Sequence, residues 1–273
     1  MKTSIEFINH ASVVVSDGKI SVLSDPWFAG DAFHKGWNLL HETSEDEIKK
    51  LLQKITHIWI SHEHPDHFSI SFFQNYTQIL RKNSIKILFK KTNDKRVFKF
   101  LTSKGLDVQE LEFNKKLKLS DDYSVTCIKD GFYDSGLLIN SHGEKILNLN
   151  DCEVTTPNRA NEVLKLTGDV DVLLTQFSYA AWKGGIDNKQ WRINAAKEKI
   201  DSMSLQIKTF QPKYVIPFAS FFYFSNKENF YLNDSANKPE QLKEKLKKYS
   251  EKLVIMAPKD VLGGKIETIN NVK

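Results

Sequence analysis

The stretch SHEHPDHF (residues 61–68) places three histidines and two carboxylates within eight residues. It leaves a short apolar run, HIWI, that reads as a strand. In an extended segment the side chains at i and i+2 point the same way, so His62 and His64 can aim their imidazoles at one ion. Pro65 cannot continue a ladder and favours a turn, after which Asp66 and His67 can face the same cavity from its other side. Two imidazoles for one metal, with a carboxylate and an imidazole for a second, make a borderline nitrogen and oxygen donor set. Such a set suits zinc, iron or manganese better than calcium or copper. Glu63, between the ligands, is expected to point away and to be structural.

The elements around this stretch alternate in character. Residues 5–15 and 19–23 are β-like and joined by a turn at Ser16, Asp17 and Gly18. Ser44 and Glu47 form a capping-box pattern ahead of a helix. A helical pattern over 70–81, a strand over 85–89 and a helix over 94–103 ending near Gly105 follow. The middle is strand-rich, with a Ser141-His142-Gly143 turn between two strands. The last third alternates: helix over 158–166, strand over 170–177, helix within 190–208, strand over 214–218, helix within 241–249 and strand over 252–258. No repeat or low-complexity linker interrupts the 273 residues. The expectation is one α+β domain over 1–273, with layers of sheet packed together and helices outside.

Composition narrows the function only slightly. The net charge of +5 comes from scattered lysines. The densest run, KPEQLKEKLKKYSEKL (residues 238–253), interleaves glutamates and reads as a solvated helix face, not a nucleic-acid or membrane patch. No apolar run approaches the roughly 20 residues needed to span a bilayer, and the N-terminus reads as a strand and not as a signal peptide. Two cysteines, Cys127 and Cys152, offer neither a disulfide framework nor a zinc ribbon, which suits a reducing, cytoplasmic setting. No G-x-S-x-G elbow supplies a serine nucleophile.

The sequence HEHPDH resembles the HxHxDH signature of the metallo-β-lactamase-fold superfamily, an αββα sandwich that usually holds two metals. The resemblance covers nearly the whole chain. It implies that His62, His64, Asp66 and His67 are metal ligands and that Asp151, in ILNLNDC, bridges the two metals. Asp25, in SDPWF, is similar to the family's early aspartate, which buttresses the ligand loop. NHAS (residues 9–12) is similar to the corresponding turn of the ascorbate-phosphate-lactonase-like branch. Residues 25–42, with QFSYAAW and PKYVIPFASFF, resemble the metallo-β-lactamase-like domain of the CMP-N-acetylneuraminate hydroxylase family, whose members are iron-dependent oxygenases that also carry a Rieske domain. A Rieske centre needs paired Cys-x-His motifs, and neither cysteine here has such a neighbour. Electrons for any oxidation are therefore expected from an external donor.

The chain departs from the superfamily pattern where each metal should receive its third histidine. After YSVTCI the sequence reads KDGFYDSG, and Asp130 is the expected substitute ligand. After YVIPF stand Ala219 and Ser220, neither a strong ligand. The second metal, left with Asp66, His67 and Asp151, is expected to bind more weakly or be absent unless a histidine from elsewhere completes its donors. His10, His34 and His41 are the candidates, and are also expected near the substrate pocket. Trp37, Trp182 and Ser220 are the other expected pocket residues. An oxygen-enriched donor set moves the preference from zinc toward iron or manganese.

The resemblance implies one or two divalent cations and hydrolysis of a small molecule, sugar- or nucleotide-derived, by a metal-activated water that Asp66 orients. A non-haem iron oxygenase is the alternative, and a degenerate non-catalytic metal binder is the third reading.

Overall fold

The computed structural model describes residues 3–263, so the expected extent of 1–273 reaches beyond the described residues at both ends. In chain order the strands are β1 (Ser4–Asn9), β2 (Ser12–Ser16), β3 (Ser21–Ser24), β4 (Trp37–Leu39), β5 (His57–Ile60), β6 (Lys86–Lys90), β7 (Asp107–Leu111) and β8 (Lys116–Lys118). They continue with β9 (Tyr123–Lys129), β10 (Ser135–Ser141), β11 (Glu144–Asn148), β12 (Val172–Gln176), β13 (Tyr214–Phe218), β14 (Phe222–Phe224) and β15 (Val261–Gly263). The helices are α1 (Glu45–Leu52), α2 (Ile70–Lys82), α3 (Arg96–Ser103), α4 (Pro157–Thr167), α5 (Lys189–Phe210) and the single turn α6 (Leu242–Lys245).

Two mixed sheets face each other. One runs β15-β1-β2-β3-β5-β6-β7 and the other β13-β12-β11-β10-β9-β8. Strand periodicity divides the apolar residues between layers. Ile5, Phe7, Val13, Val15, Trp59 and Leu88 pack inward against Val125, Leu137, Ile139, Leu174 and Ile216 of the second sheet. Their alternate neighbours Val14, Ile58, Ile60, Ile87 and Phe89 face outward, under Leu52, Phe72, Phe73 and Leu101 of α1, α2 and α3. On the far side Leu147, Leu173 and Val215 pack beneath Ala160, Val163, Met203 and Ile207 of α4 and α5. The result is the expected αββα sandwich. Among the described residues no helix is long and apolar enough to cross a membrane.

Several expected elements differ. The β-like segment 5–15 breaks at His10, whose backbone is left-handed (φ 32°), and becomes a hairpin with an irregularity between Phe7 and Asn9. The segment 252–258 carries one bridge, Val215 to Leu253, and the last strand among the described residues is the later β15, pairing with β1. The charged run over 238–253 is broken into short helical turns instead of one amphipathic helix. Pairing of β4 with β14 adds a small ribbon that periodicity did not reveal, because three-residue strands carry no pattern. The Ser44–Glu47 capping box is present.

Topology decides where the chemistry lies. β3, β5, β6 and β7 are mutually parallel, as are β11, β12 and β13. β1 is antiparallel to β2, which is antiparallel to β3, so β1 and β3 run the same way. β9 relates to β11 through β10 in the same manner. The segments following β1, β3, β5, β9, β11 and β13 therefore gather at one edge of the sandwich, where loops held by rigid strands carry function.

Candidate metal centre

Three groups of side chains converge at that edge. His10, Asp66 and His67 form one, His62, His64 and Asp134 another, and His62, His67 and Asp151 lie between them. Within each group the donor atoms are within 4.8 Å of one another.

The loop after β5 is shaped by backbone hydrogen bonds. The carbonyl of His64 accepts from the amides of His67 at 3.0 Å and Phe68 at 2.7 Å, a tight turn that returns Asp66 and His67 toward His62. Asp25, directly after β3, holds this turn from beneath. Its carboxylate accepts from the Ser61 amide at 2.7 Å, the Ser61 hydroxyl at 2.8 Å, the Asn150 side-chain amide and His67 Nδ1 at 3.0 Å. The bond at Nδ1 leaves His67 Nε2 free to face Asp66 Oδ2 at 3.1 Å and Asp151 Oδ2 at 3.4 Å. Ser135 at the start of β10 donates to the Ser61 carbonyl at 2.6 Å, tying the second sheet to the same loop.

His10 is fully buried in the β1–β2 turn, with its Nε2 3.4 Å from Asp66 Oδ2 and its ring edge-on to Trp27, His67 and Phe222. His10, Asp25, Asn150 and Ala219 all have left-handed backbones, with φ of 32°, 38°, 51° and 53°. Non-glycine residues adopt this region at a cost, and four of them around one cluster mark a site where geometry is held against local preference.

The electrostatics follow from burial. Burial opposes protonation of His67, but the carboxylates of Asp66 and Asp151 outweigh it and hold this imidazole well above the usual histidine range. Burial also raises Asp66 and Asp151, and facing imidazoles, His67 first, pull both below the ordinary carboxylate range. His62 is driven well below the histidine range by burial and then by the charge on His67. Asp134 is pushed up to about 7, by burial and then by Asp151.

The residues fit divalent cations. His10 Nε2, His67 Nε2, Asp66 Oδ1 and Asp134 Oδ1 are buried without a hydrogen-bond partner. An orphaned buried polar atom costs roughly 1–3 kcal/mol, and these four, aimed into the cluster of imidazoles and carboxylates, are accounted for by bound cations. The full donor set is four histidines and three aspartates.

The structure does not bring every expected residue together. Asp130 is corrected: its carboxylate accepts from the Glu153 amide at 2.6 Å and from Arg159 Nε at 2.9 Å, a partly buried ion pair that closes the loop onto α4. Asp134, four residues on, takes the place expected for it, with Oδ1 3.6 Å from His62 Nε2. Its signal was its position directly before β10, at the ligand edge. Glu63 turns away, 3.4 Å from Lys90, whose ammonium also reaches the carbonyl of Tyr133.

His34 is exposed in a loop and joins none of the groups. The exposed His41 borders a cavity of about 250 Å³ lined also by Ile8, Lys50 and Pro258. Trp37 is buried, stacked on Phe222 at 3.9 Å, and so backs His10 at one remove instead of lining an open pocket. Trp182 is 62% exposed and packs edge-on against Trp191. The Ser220 hydroxyl accepts from the amides of Phe177 and Ser178 and borders a cavity of about 510 Å³ with Tyr179, Phe222 and Phe224. Around His64 the exposed rings are those of Phe33 and Tyr133, each with its centroid 6.0 Å from the imidazole. Gln176, which the sequence reading did not single out, donates to Asp151 from behind and accepts in turn from Lys199.

The chain belongs to the β-lactamase superfamily: the model of the β-lactamase superfamily domain matches residues 4–219. Its fold is the metallo-β-lactamase fold. Among curated proteins it is similar to cytidine monophosphate-N-acetylneuraminic acid hydroxylase of Danio rerio, 28% identical over 90% of this chain and 43% of that protein. The chain thus spans less than half the length of this relative. Among solved structures it is similar to the diiron β-hydroxylase CmlA from Streptomyces venezuelae (TM-score 0.68, 15% identity, covering 95% of this chain and 54% of the other). It is likewise similar to Igni18, a metallo hydrolase from Ignicoccus hospitalis (TM-score 0.66, 15% identity, covering 98% of this chain and 100% of the other).

Proposed function

We propose that this protein is a dinuclear non-haem iron oxygenase that hydroxylates a small, sugar- or nucleotide-derived molecule. The observation that carries the reading is the composition of the two outer groups. Each consists of two histidines and one aspartate, and Asp151 lies between them. A 2-His-1-carboxylate set with open positions is the donor pattern of iron oxygenases, whereas zinc sites with three histidines retain a more nitrogen-rich set. The hydroxylase relative supports the same class.

His62, His64 and Asp134 would hold one cation, His10, Asp66 and His67 the other, with Asp151 shared. As iron, these ions would supply activation of dioxygen, with electrons from an external donor. The chain's own contribution is rigidity and access. Asp25 fixes the Nδ1 side of His67, and His10 and Asp66 are sealed beneath Trp27 and Phe222. Phe33 and Tyr133 leave the His64 side open, between rings that can stack on a planar or sugar substrate.

Metal-dependent hydrolysis is the second reading. It is favoured by the unpartnered Asp66 Oδ1, a carboxylate oxygen placed to orient a water. A non-catalytic binder leaves unexplained why so many strained and unpartnered groups surround an accessible cluster.

The test is metal analysis of protein purified anaerobically, followed by oxygen uptake with a chemical reductant. Two irons per chain and reductant-dependent oxygen consumption, lost in His62→Ala, are expected. Two tightly held zinc ions with ester or phosphoester hydrolysis and no oxygen uptake would overturn the oxygenase reading in favour of the hydrolase.

A further inference from the structure

Asp151 is anchored from its outer side by a chain of two residues. Gln176, the last residue of β12, is buried, and its amide nitrogen donates to Asp151 Oδ1 at 3.0 Å and to the Ala219 carbonyl at 3.4 Å. Its amide oxygen accepts from the ammonium of Lys199 on α5. An ionised carboxylate only accepts and an ammonium only donates, so Asp151 and Lys199 fix the two ends of the Gln176 amide between them. Lys199 takes the oxygen of Gln176, and the NH2 is held on Asp151 and the Ala219 carbonyl. With Oδ1 occupied in this way, Oδ2 is the oxygen turned toward His67 Nε2, at 3.4 Å.

The ammonium of Lys199 bonds the neutral amide of Gln176, with the carboxylates of Asp151 and Glu153 near enough to attract it. Lys199 is only partly exposed, and burial lowers its affinity for a proton against the opposing pull of Asp151 and Glu153. A partly desolvated ammonium given to a neutral amide is a costly arrangement unless the amide's orientation matters.

We propose that Gln176 and Lys199 are positioning residues for the metal centre: together they turn Asp151 so that Oδ2 alone faces the cation-binding histidines, and this sets the affinity for the second cation. The inference rests on the dinuclear reading but not on the choice between oxygenation and hydrolysis. Two electrostatic effects oppose each other here. The Lys199 charge repels a nearby cation, while its grip on Gln176 orders a carboxylate that attracts one. The Asp151 carboxylate is itself part of the cluster, whereas the ammonium hydrogen-bonds the amide behind it, so orientation prevails. Hydrogen-bond partners of metal ligands change affinity by about 10–100-fold.

The experiment is Mn2+ titration of the full chain, read as stoichiometry and the Kd of each ion, with thermal melting as a folding control. The wild type is expected to bind two ions. Gln176→Leu should bind the second about 10–100-fold more weakly. Lys199→Met, at a less buried position and so safer for folding, should shift it in the same direction. Lys199→Arg, also donor-only, should restore affinity to within about threefold. Unchanged affinity in Gln176→Leu, or tighter binding in Lys199→Met, would overturn the proposal. A wild type binding fewer than two ions, or Asp151→Ala binding both unchanged, would instead show that the dinuclear reading itself fails, and the inference with it.

Discussion

The backbone carbonyl of His10 accepts the amide of Ala219 at 2.8 Å, joining the turn after β1 in one sheet to the end of β13 in the other. Ala219 occupies the strand end where the superfamily pattern leads one to expect a histidine. The imidazole facing Asp66 at that place is the one on His10. The first sheet thus supplies the side chain that the second lacks.

His10→Ala is accordingly expected to weaken the cation at Asp66 and His67 by at least about 10-fold, leaving the His62–His64–Asp134 ion in place. Metal titration reads this as a fall from two tight ions to one. Two ions bound as tightly as in the wild type would remove His10 from the donor set.

Asp134 and Asp130 should separate cleanly. Asp134→Ala removes a donor beside His62 and should cost about 10–100-fold in affinity for one cation with little change in melting temperature. Asp130→Ala strands Arg159 and the Glu153 amide and should cost on the order of 1–3 kcal/mol of stability, with metal affinity retained. The reverse pattern would restore Asp130 to the centre.

Asp25→Ala leaves the Ser61 amide and hydroxyl, His67 Nδ1 and the Asn150 amide without their acceptor. A loss of about 3–5 kcal/mol follows, on the order of 10 °C in Tm for a chain of this size. Asn tolerates the left-handed backbone at this position, so Asp25→Asn should be milder. Equal melting of Asp25→Ala and wild type would show that the carboxylate does not anchor the loop.

His57 gives a pH dependence independent of the metal ligands. Burial, and then the charge of Lys86, pull its imidazole down to about 4. Because its folded value lies below the ordinary 6.5, the unfolded chain takes up the proton first. The neutral ring's contribution is whole above about pH 6.5 and is lost as pH falls toward 4, an effect of order 2 kcal/mol after allowance for partial solvation. Chemical denaturation of wild type and His57→Leu at pH 7.5 and 4.5 checks the sign: the wild type should lose more stability on acidification than the variant does. A steeper acid loss in His57→Leu would contradict it.

Local patterns carried much of the fold. The HIWI strand entering the histidine loop, the capping box at Ser44 and Glu47 and the alternation in β1, β2 and β6 depend on residues close in sequence, where hydrophobic period and cap chemistry act directly. The charged run over 238–253 departs from expectation because its charge pattern suits a helix, while packing of Leu242, Leu246 and Leu253 onto α4, α5 and the second sheet breaks it into short turns.

For the centre itself, the sequence alone determined that His62, His64, Asp66 and His67 leave one strand in a register able to meet at one place. That follows from two-residue alternation and a proline turn, both local. Only the tertiary structure decided which partners come to them: His10 and not His34 or His41, Asp134 and not Asp130, and Gln176 with Lys199 behind Asp151. These residues arrive from different strands and from both sheets, and their meeting depends on parallel strand ends sharing one edge. No spacing along the chain encodes that relation.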